Sequence, residues 1–270
     1  MRIVSANASV AVGENGTAGE RHDDAAREHR RGAALITGAA GDIGRAVAEV
    51  LVAAGRDVVI ADIDLDAAAQ AACELGPKAT AVQLDLANAD SIASTAQAVH
   101  GSISALVHCA GLAIVEPFLT SSVAHWDAMH EVNLRGPMLL TQALLPGLLE
   151  THSARIVFVS SDGARAGAGG EAAYAASKSG LFGFAKSLAR EVARHQVTVN
   201  VVCPGPIEGQ MVARTMADHP GALAALEKAI PMKRLGRPEE VAALIAWLAS
   251  PAAGYITGQL ISVSGGITMQ

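Results

Sequence analysis

Tyr174 and Lys178 stand four residues apart in a stretch with helical apolar spacing, which puts both on one helix face. An ammonium beside a phenol favours the phenolate and lowers its pKa from about 10. A tyrosine so tuned takes a proton from an alcohol, or gives one to a ketone, near neutral pH. By itself such a pair can be an ordinary helix surface feature. Here Ser161 lies 174 − 161 = 13 residues earlier, just after an apolar run, with the glycine-rich stretch 163–170 between them. These three side chains are the candidate catalytic set.

Strands and helices must hold them, and the pattern from residue 33 onward supplies both. Short apolar runs at 33–37, 57–61, 79–84, 104–108, 155–160, 197–202 and 259–263 read as strands. Helical spacing covers 43–54, 67–75, 91–99, 125–149, 172–194 and 238–249. The strand runs are continuously apolar, as expected when helices cover both faces of a sheet. The alternation predicts an α/β fold, a Rossmann-type doubly wound parallel sheet in one domain. Ligands of such sheets lie beyond the carboxyl ends of the strands.

The first strand leads into Thr37-Gly38-Ala39-Ala40-Gly41-Asp42-Ile43-Gly44 and then directly into a helix. Glycines there allow a tight turn and close approach to a pyrophosphate, which the helix N-terminus attracts. Asp62 ends the second strand, 62 − 44 = 18 residues beyond the loop. An acid at about that distance binds adenosine ribose hydroxyls and repels a 2′-phosphate. No Arg or Lys in the loop offsets it, so NAD is expected over NADP. Asp62 could instead cap a helix, though Asp64 is the better cap. Asp85 either binds an adenine amino group or caps a turn.

Composition narrows the classes further. The chain has 270 residues, 51% hydrophobic and 17% charged, too apolar for disorder throughout. Aromatics are only 3%, so burial falls to Ala, Val, Leu and Ile. A net charge of −6 argues against a nucleic-acid binder. No uncharged apolar run reaches membrane-spanning length, and a cytoplasmic protein is expected. Cys73, Cys109 and Cys203 read as reduced, core-type thiols, with no disulfide frame and no metal site. Residues 1–31 are polar and lack periodicity; a disordered tail is expected there, with the domain spanning 32–270.

In sum of motif and order, the chain resembles the short-chain dehydrogenase/reductases. The matching pieces are Thr37-Gly38 through Gly44, Asp62, Asp85, Ala110-Gly111, Asn133, Ser161, Tyr174-Ala175-Ala176-Ser177-Lys178, Asn200, Pro204-Gly205 and Ser264-Gly265-Gly266. The resemblance implies that Tyr174 is the general acid/base and that Lys178 holds the nicotinamide ribose. It implies that Ser161 orients the reacting oxygen and that Asn133 binds a water linking Lys178 to solvent. Pro204, Gly205 and Ile207 would pack on the nicotinamide. Gly38, Asp42, Ile43, Gly44, Asp62, Ile63, Asp85, Leu86, Ala110 and Gly111 would line the rest of the cofactor. A homotetramer, packed through the helices at 125–149 and 172–194 and the last strand, is likewise implied.

Departures from the family pattern are Asp42 and Gly209, which stand where the family usually has a glycine and often a threonine. Others are His108-Cys109 in place of two asparagines, and Ser264 in place of an aspartate. His108 reads as a packed strand-end residue. The segment 207–231 would be the substrate lid, apolar through Met211, Val212, Met216, Leu223, Leu226 and Ile230. Its cations Arg214, Lys228, Lys233, Arg234 and Arg237 form either a solvated helix face or a rim for coenzyme A phosphates. Segments 161–165, 170–174, 200–206 and 256–269 are similar to 2-hydroxycyclohexanecarboxyl-CoA dehydrogenases. That similarity suggests a secondary alcohol, a β-hydroxyacyl-CoA or alicyclic alcohol, as substrate, with Ser161, Arg165 and Met211 touching it. A 3-oxoacyl-(acyl-carrier-protein) reductase is the alternative, and it would use NADPH, which Asp62 opposes. A non-catalytic dinucleotide-binding scaffold is the alternative of another class.

Overall fold

The structure, a computed structural model, describes residues 32–151, 153–216 and 221–269. The expected tail 1–31 lies outside the described residues. Seven parallel strands form one sheet: β1 (Ala33–Thr37), β2 (Val58–Asp62), β3 (Ala79–Gln83), β4 (Ile103–His108), β5 (Arg155–Val159), β6 (Thr198–Pro204) and β7 (Leu260–Val263). Their order is β3-β2-β1-β4-β5-β6-β7. The chain winds outward in both directions from β1 and β4, so a crevice opens at the carboxyl ends of those two strands.

Successive strand residues face opposite sides of a sheet. Ile36 and Ile60 accordingly pack with Val47, Leu51, Ile245 and Leu248 from α1 (Asp42–Ala53) and a helix at Pro238–Leu248. Leu35, Leu106 and Phe158 face the other way, onto Leu140, Leu144, Leu181 and Leu188. Each such buried side chain contributes about 1.5–3 kcal/mol. Central strands β4, β5 and β6 are buried throughout, whereas the edge strand β7 is half-buried.

Helix starts follow capping chemistry. Asp64 accepts from Ala67 N at 3.0 Å at the head of α2 (Leu65–Leu75), and Asn88 accepts from Asp90 N and Ser91 N at α3 (Ala89–Ala98). The single helix expected at 125–149 is interrupted. It resolves into α4 (Val123–His130), a π-helical turn at Glu131–Arg135 and α5 (Gly136–Glu150). Pro137 has no N–H for the Asn133 carbonyl, and its ring crowds that carbonyl, so the ladder widens just before it. Gly136 completes the turn: a Cβ there would overlap the Leu86 carbonyl. The remaining helices are α6 (Gly163–Ala166), α7 (Ala172–Val192), α8 (Gln210–Met216), α9 (Ala222–Ala229) and α10 (Pro238–Leu248).

Two cysteines match the core-type reading poorly. Cys203 is buried, Cys109 half-buried and Cys73 exposed on α2; all three are free thiols. No helix among the described residues is long and apolar enough to cross a membrane. No cluster of three or more His, Cys, Asp or Glu able to hold a metal occurs among them.

Candidate active site

The ends of β5 and α7 bring the catalytic candidates together. Ser161 follows β5 and Tyr174 projects from the first turn of α7, where it is buried. The Ser161 hydroxyl lies near enough to the Tyr174 phenol to lower its pKa. Burial pushes the Tyr174 phenol up to about 12; the Ser161 hydroxyl pulls it down, and the nearby Glu171 carboxylate pushes it up. The expected lowering by Lys178 is therefore not what this arrangement gives. Lys178 is buried and donates from Nζ to the Val159 carbonyl at 3.0 Å. Its pKa falls to about 8, chiefly because burial penalises the charge, with the Cys109 and Cys203 thiols opposing that fall.

Asn133 is fully buried on the π-helical turn. Its Oδ1 accepts from Leu112 N at 2.8 Å, and its Nδ2 donates to the Leu112 carbonyl at 2.8 Å and to Ser177 Oγ at 2.9 Å. Both amide protons are thus committed to protein. The side chain clamps the segment after β4 onto α7, so the expected water-binding role would fall to the backbone carbonyl of Asn133. Gly111 sits in this clamp. A Cβ there would lie 2.8 Å from Lys178 Nζ and 3.3 Å from Asn133 Oδ1.

The glycine loop fits a dinucleotide. Gly38 has φ +63°, and a Cβ on it would lie 2.6 Å from Ala110 Cα. Gly44 leaves no room for a side chain against Ala39 and the Gly38 carbonyl. No side chain caps α1 at Gly41, so its first N–H groups face outward, as an incoming pyrophosphate requires. Thr37 Oγ1 accepts from Ala110 N at 3.2 Å and ties the two strand ends together. Asp62 Oδ2 accepts from Ala40 N at 3.0 Å and Oδ1 from Asp64 N at 3.3 Å. Asp64, not Asp62, is the helix cap, and a carboxylate's remaining lone pairs leave Asp62 able to accept from ribose hydroxyls.

Other expected site residues sit less simply. Asp85 Oδ1 closes a turn by accepting from Ala87 N at 2.9 Å. Ile63 is exposed beside Asp62, whereas the Leu86 side chain is buried in the core, which leaves only its backbone to face a cofactor. Pro204 ends β6, and Gly205 has no space for a Cβ against Ser264. Ile207 is buried and bridges Gly236. Asp42 is drawn away from the loop: its Oδ2 accepts from Gln210 N at 2.8 Å. Arg165 follows Ser161, on α6, and reaches towards β7. Its guanidinium donates to Ser262 Oγ at 2.8 Å on β7. Met211 is half exposed on α8.

His108 is packed as expected: stacked on Phe158 at 4.7 Å, with Nε2 on Thr141 Oγ1 at 3.0 Å. Burial drives its pKa down to about 3. Two of the lid cations, Arg234 and Lys233, are engaged within the chain. Arg234 makes two 2.7 Å bonds to Glu240, and Lys233 donates to the Lys228 carbonyl at 2.6 Å. The side chains of Arg214 and Met216 lie outside the described residues. Two residues escaped the sequence reading. Ser177 links Asn133 to the Tyr174 carbonyl, and buried Asp162 accepts from Ser262 and Thr268 hydroxyls at 2.5 and 2.6 Å. Ser177 could have been found from its place one turn beyond Tyr174; Asp162 carried no comparable signal.

A doubly wound sheet with an uncapped glycine loop at its switch point and a Ser–Tyr pair over a buried lysine defines a nicotinamide-dinucleotide oxidoreductase. Comparison with known proteins gives the same class. A family model described as enoyl-(acyl carrier protein) reductase matches residues 38–268. Nodulation protein G of Rhizobium sp. (strain N33) is 38% identical over 239 residues, 87% of this chain and 96% of that one. The 3-oxoacyl-[acyl-carrier-protein] reductase FabG of Vibrio cholerae is also 38% identical, over 87% of this chain and 97% of that one. A solved structure titled short chain dehydrogenase/reductase family protein superposes with a TM-score of 0.82 at 32% identity, covering 88% of this chain and 98% of that one. A short-chain dehydrogenase/reductase of Brucella melitensis, titled glucose/ribitol dehydrogenase, gives 0.83 at 34% identity over 90% and 99%. The chain belongs to the short-chain dehydrogenase/reductase family, NAD(P)-dependent oxidoreductases that act on CH–OH groups. The finer similarity to alicyclic hydroxyacyl-CoA dehydrogenases is not what these relatives bear out; the carrier-protein reductases are.

Proposed function

We propose that the protein reduces a 3-oxoacyl thioester to the 3-hydroxyacyl thioester, with Tyr174 giving the proton to the ketone oxygen. The observation that carries this reading is the juxtaposition of Ser161 and buried Tyr174 at the end of β5, with Lys178 buried behind them. Burial holds the phenol protonated well above neutral pH, which suits a proton donor. The bound nicotinamide supplies the hydride. Ser161 Oγ would orient the same oxygen, and Lys178 would hold the nicotinamide ribose. The carrier-protein reductases among the relatives support the acyl thioester and favour an acyl carrier protein over coenzyme A. So does the engagement of Arg234 and Lys233 within the chain, which leaves them poorly placed for coenzyme A phosphates.

Asp62 favours NADH as the reductant in this reading, against the NADPH that a carrier-protein reductase was expected to use. A second reading keeps that preference and runs the reaction as oxidation of a β-hydroxyacyl-CoA or alicyclic alcohol. An assay of acetoacetyl thioesters of carrier protein and of coenzyme A, with NADH and NADPH, separates these readings by absorbance. Turnover with the carrier-protein thioester and NADH is expected. A strong preference for NADPH overturns the role of Asp62, and turnover of neither acetoacetyl thioester overturns the reductase reading. The reading includes a cytoplasmic homotetramer; a monomer by light scattering overturns that part.

A further inference from the structure

Asp42 opens α1, yet its carboxylate neither caps that helix nor stays in the loop. It reaches 168 residues along the chain to accept from Gln210 N at 2.8 Å. That N–H begins α8 and has no acceptor within its own helix. The adjoining Gly209 has φ +147°, a conformation that side chains resist, and a Cβ there would overlap the Asp42 carboxylate. Gly209 in turn accepts from Ala213 N at 3.0 Å, so the first turn of α8 is built on the residue that packs against Asp42. On the other side, Glu208 N donates to the Gly236 carbonyl at 2.8 Å and Gly236 N to the Pro206 carbonyl at 3.0 Å. Those bonds tie the segment after β6 to its own far end. The Asp42 bond ties it to the glycine loop.

We propose that Asp42 and Gly209 form a latch that fixes the start of α8 on the glycine loop. Asp42 is then a positioning residue for the substrate side of the site, rather than a ligand of the dinucleotide. Each residue accounts for the other: a carboxylate can reach Gln210 N because position 209 carries no side chain. The negative charge that would repel a pyrophosphate is turned onto a helix N-terminus, where it is favourable. The substrate part of this inference rests on the function proposed above; the latch itself does not.

The test uses the full chain and the variants Asp42→Ala, Asp42→Asn, Gly209→Ala and the Asp42→Ala/Gly209→Ala double. Amide hydrogen exchange of residues 209–216, without dinucleotide, reads the latch directly. A bond to a charged group corresponds to about tenfold or more in a local opening equilibrium, so Asp42→Ala should speed exchange about tenfold. Asp42→Asn keeps an acceptor oxygen and should restore most of the protection. Gly209→Ala should loosen the segment as well. The double variant should be less affected than the sum of the singles, because the overlapping group is gone. In turnover, Asp42→Ala should raise the KM of the thioester more than that of the dinucleotide. Exchange equal to wild type in Asp42→Ala, strictly additive singles, or a KM rise confined to the dinucleotide overturns the latch. If the wild type reduces no thioester, the proposed function falls while the exchange result still decides the latch.

Discussion

The floor of the site and the segment above it are held by different physics. The floor comprises the ends of β1, β4, β5 and β6 with the head of α7, and most of its polar groups are buried and bonded to one another, His108 Nδ1 being an exception. Asn133, Ser177, Lys178 and Ser160 bond to Leu112, Tyr174, Val159 and to the Lys178 carbonyl. Among the described residues between Gly205 and Gly236, Met211, Leu223 and Met232 instead face solvent, and the segment is fastened by the buried side chains of Ile207, Ile230 and Leu235 and by a few backbone bonds. Atoms set by sheet register and close packing cannot shift singly. Atoms set by point contacts can, and so the second region can vary in substrate preference while the first keeps its chemistry.

This contrast can be broken most sharply at Tyr174. Tyr174→Phe should lower turnover about 10³-fold, within the range for a general acid, while fluorescence titration still detects NADH binding. Undiminished turnover would falsify the assignment of the proton to Tyr174. Gly111→Ala comes next. Its new methyl would sit against Lys178 Nζ, and a loss of turnover about tenfold or greater is expected from misplacing that ammonium. A variant with wild-type kinetics would show that the floor is softer than described.

Asn133→Ala tests the same rigidity through stability. It leaves Leu112 N–H and C=O without their partner, at a cost of about 1–3 kcal/mol per buried group. Urea denaturation reads that loss, and a change below about 0.5 kcal/mol, ordinary for a surface site, would count against the clamp. Acid gives a weaker test. His108 is held near 3 in the folded protein against an ordinary 6.5, so the unfolded chain binds the extra proton first. Stability should therefore fall as pH drops from 6.5 towards 3, and His108→Asn should flatten that part of the slope. Arg165→Ala should matter least. Its half-buried bond to Ser262 lies on the β7 side, and kcat/KM should change less than about threefold, under 1 kcal/mol. A large rise in KM would restore Arg165 to the substrate.

Much of the floor was legible in the residue order. Short apolar runs ending in Gly38, Asp62, Ala110 and Ser161 announced strands with functional ends, because a parallel sheet aligns its carboxyl edges. Asp64 over Asp62 as the cap was legible from local spacing alone, since capping acts within three residues. The π-helical turn at Asn133 was hidden. Pro137 signals a break, but whether the helix ends or widens depends on what packs against Gly136. The partners of Arg165 and Asp42 were hidden for a related reason: Ser262 and Gln210 are distant in sequence, and no spacing rule connects them.

By itself, then, the sequence determined the layered fold, the order of the strands' functional ends and the Ser161, Tyr174 and Lys178 set. Period, glycine placement and helix spacing are local properties that survive in one dimension. Tertiary structure alone decided which partner each charged or polar side chain took. It turned Asn133 into a clamp, set Arg165 on β7, raised the Tyr174 phenol by burial and joined Asp42 to the chain after β6. Burial and long-range hydrogen bonds depend on which surfaces meet in space, and that becomes defined only when the sheet closes its two layers of helices around them.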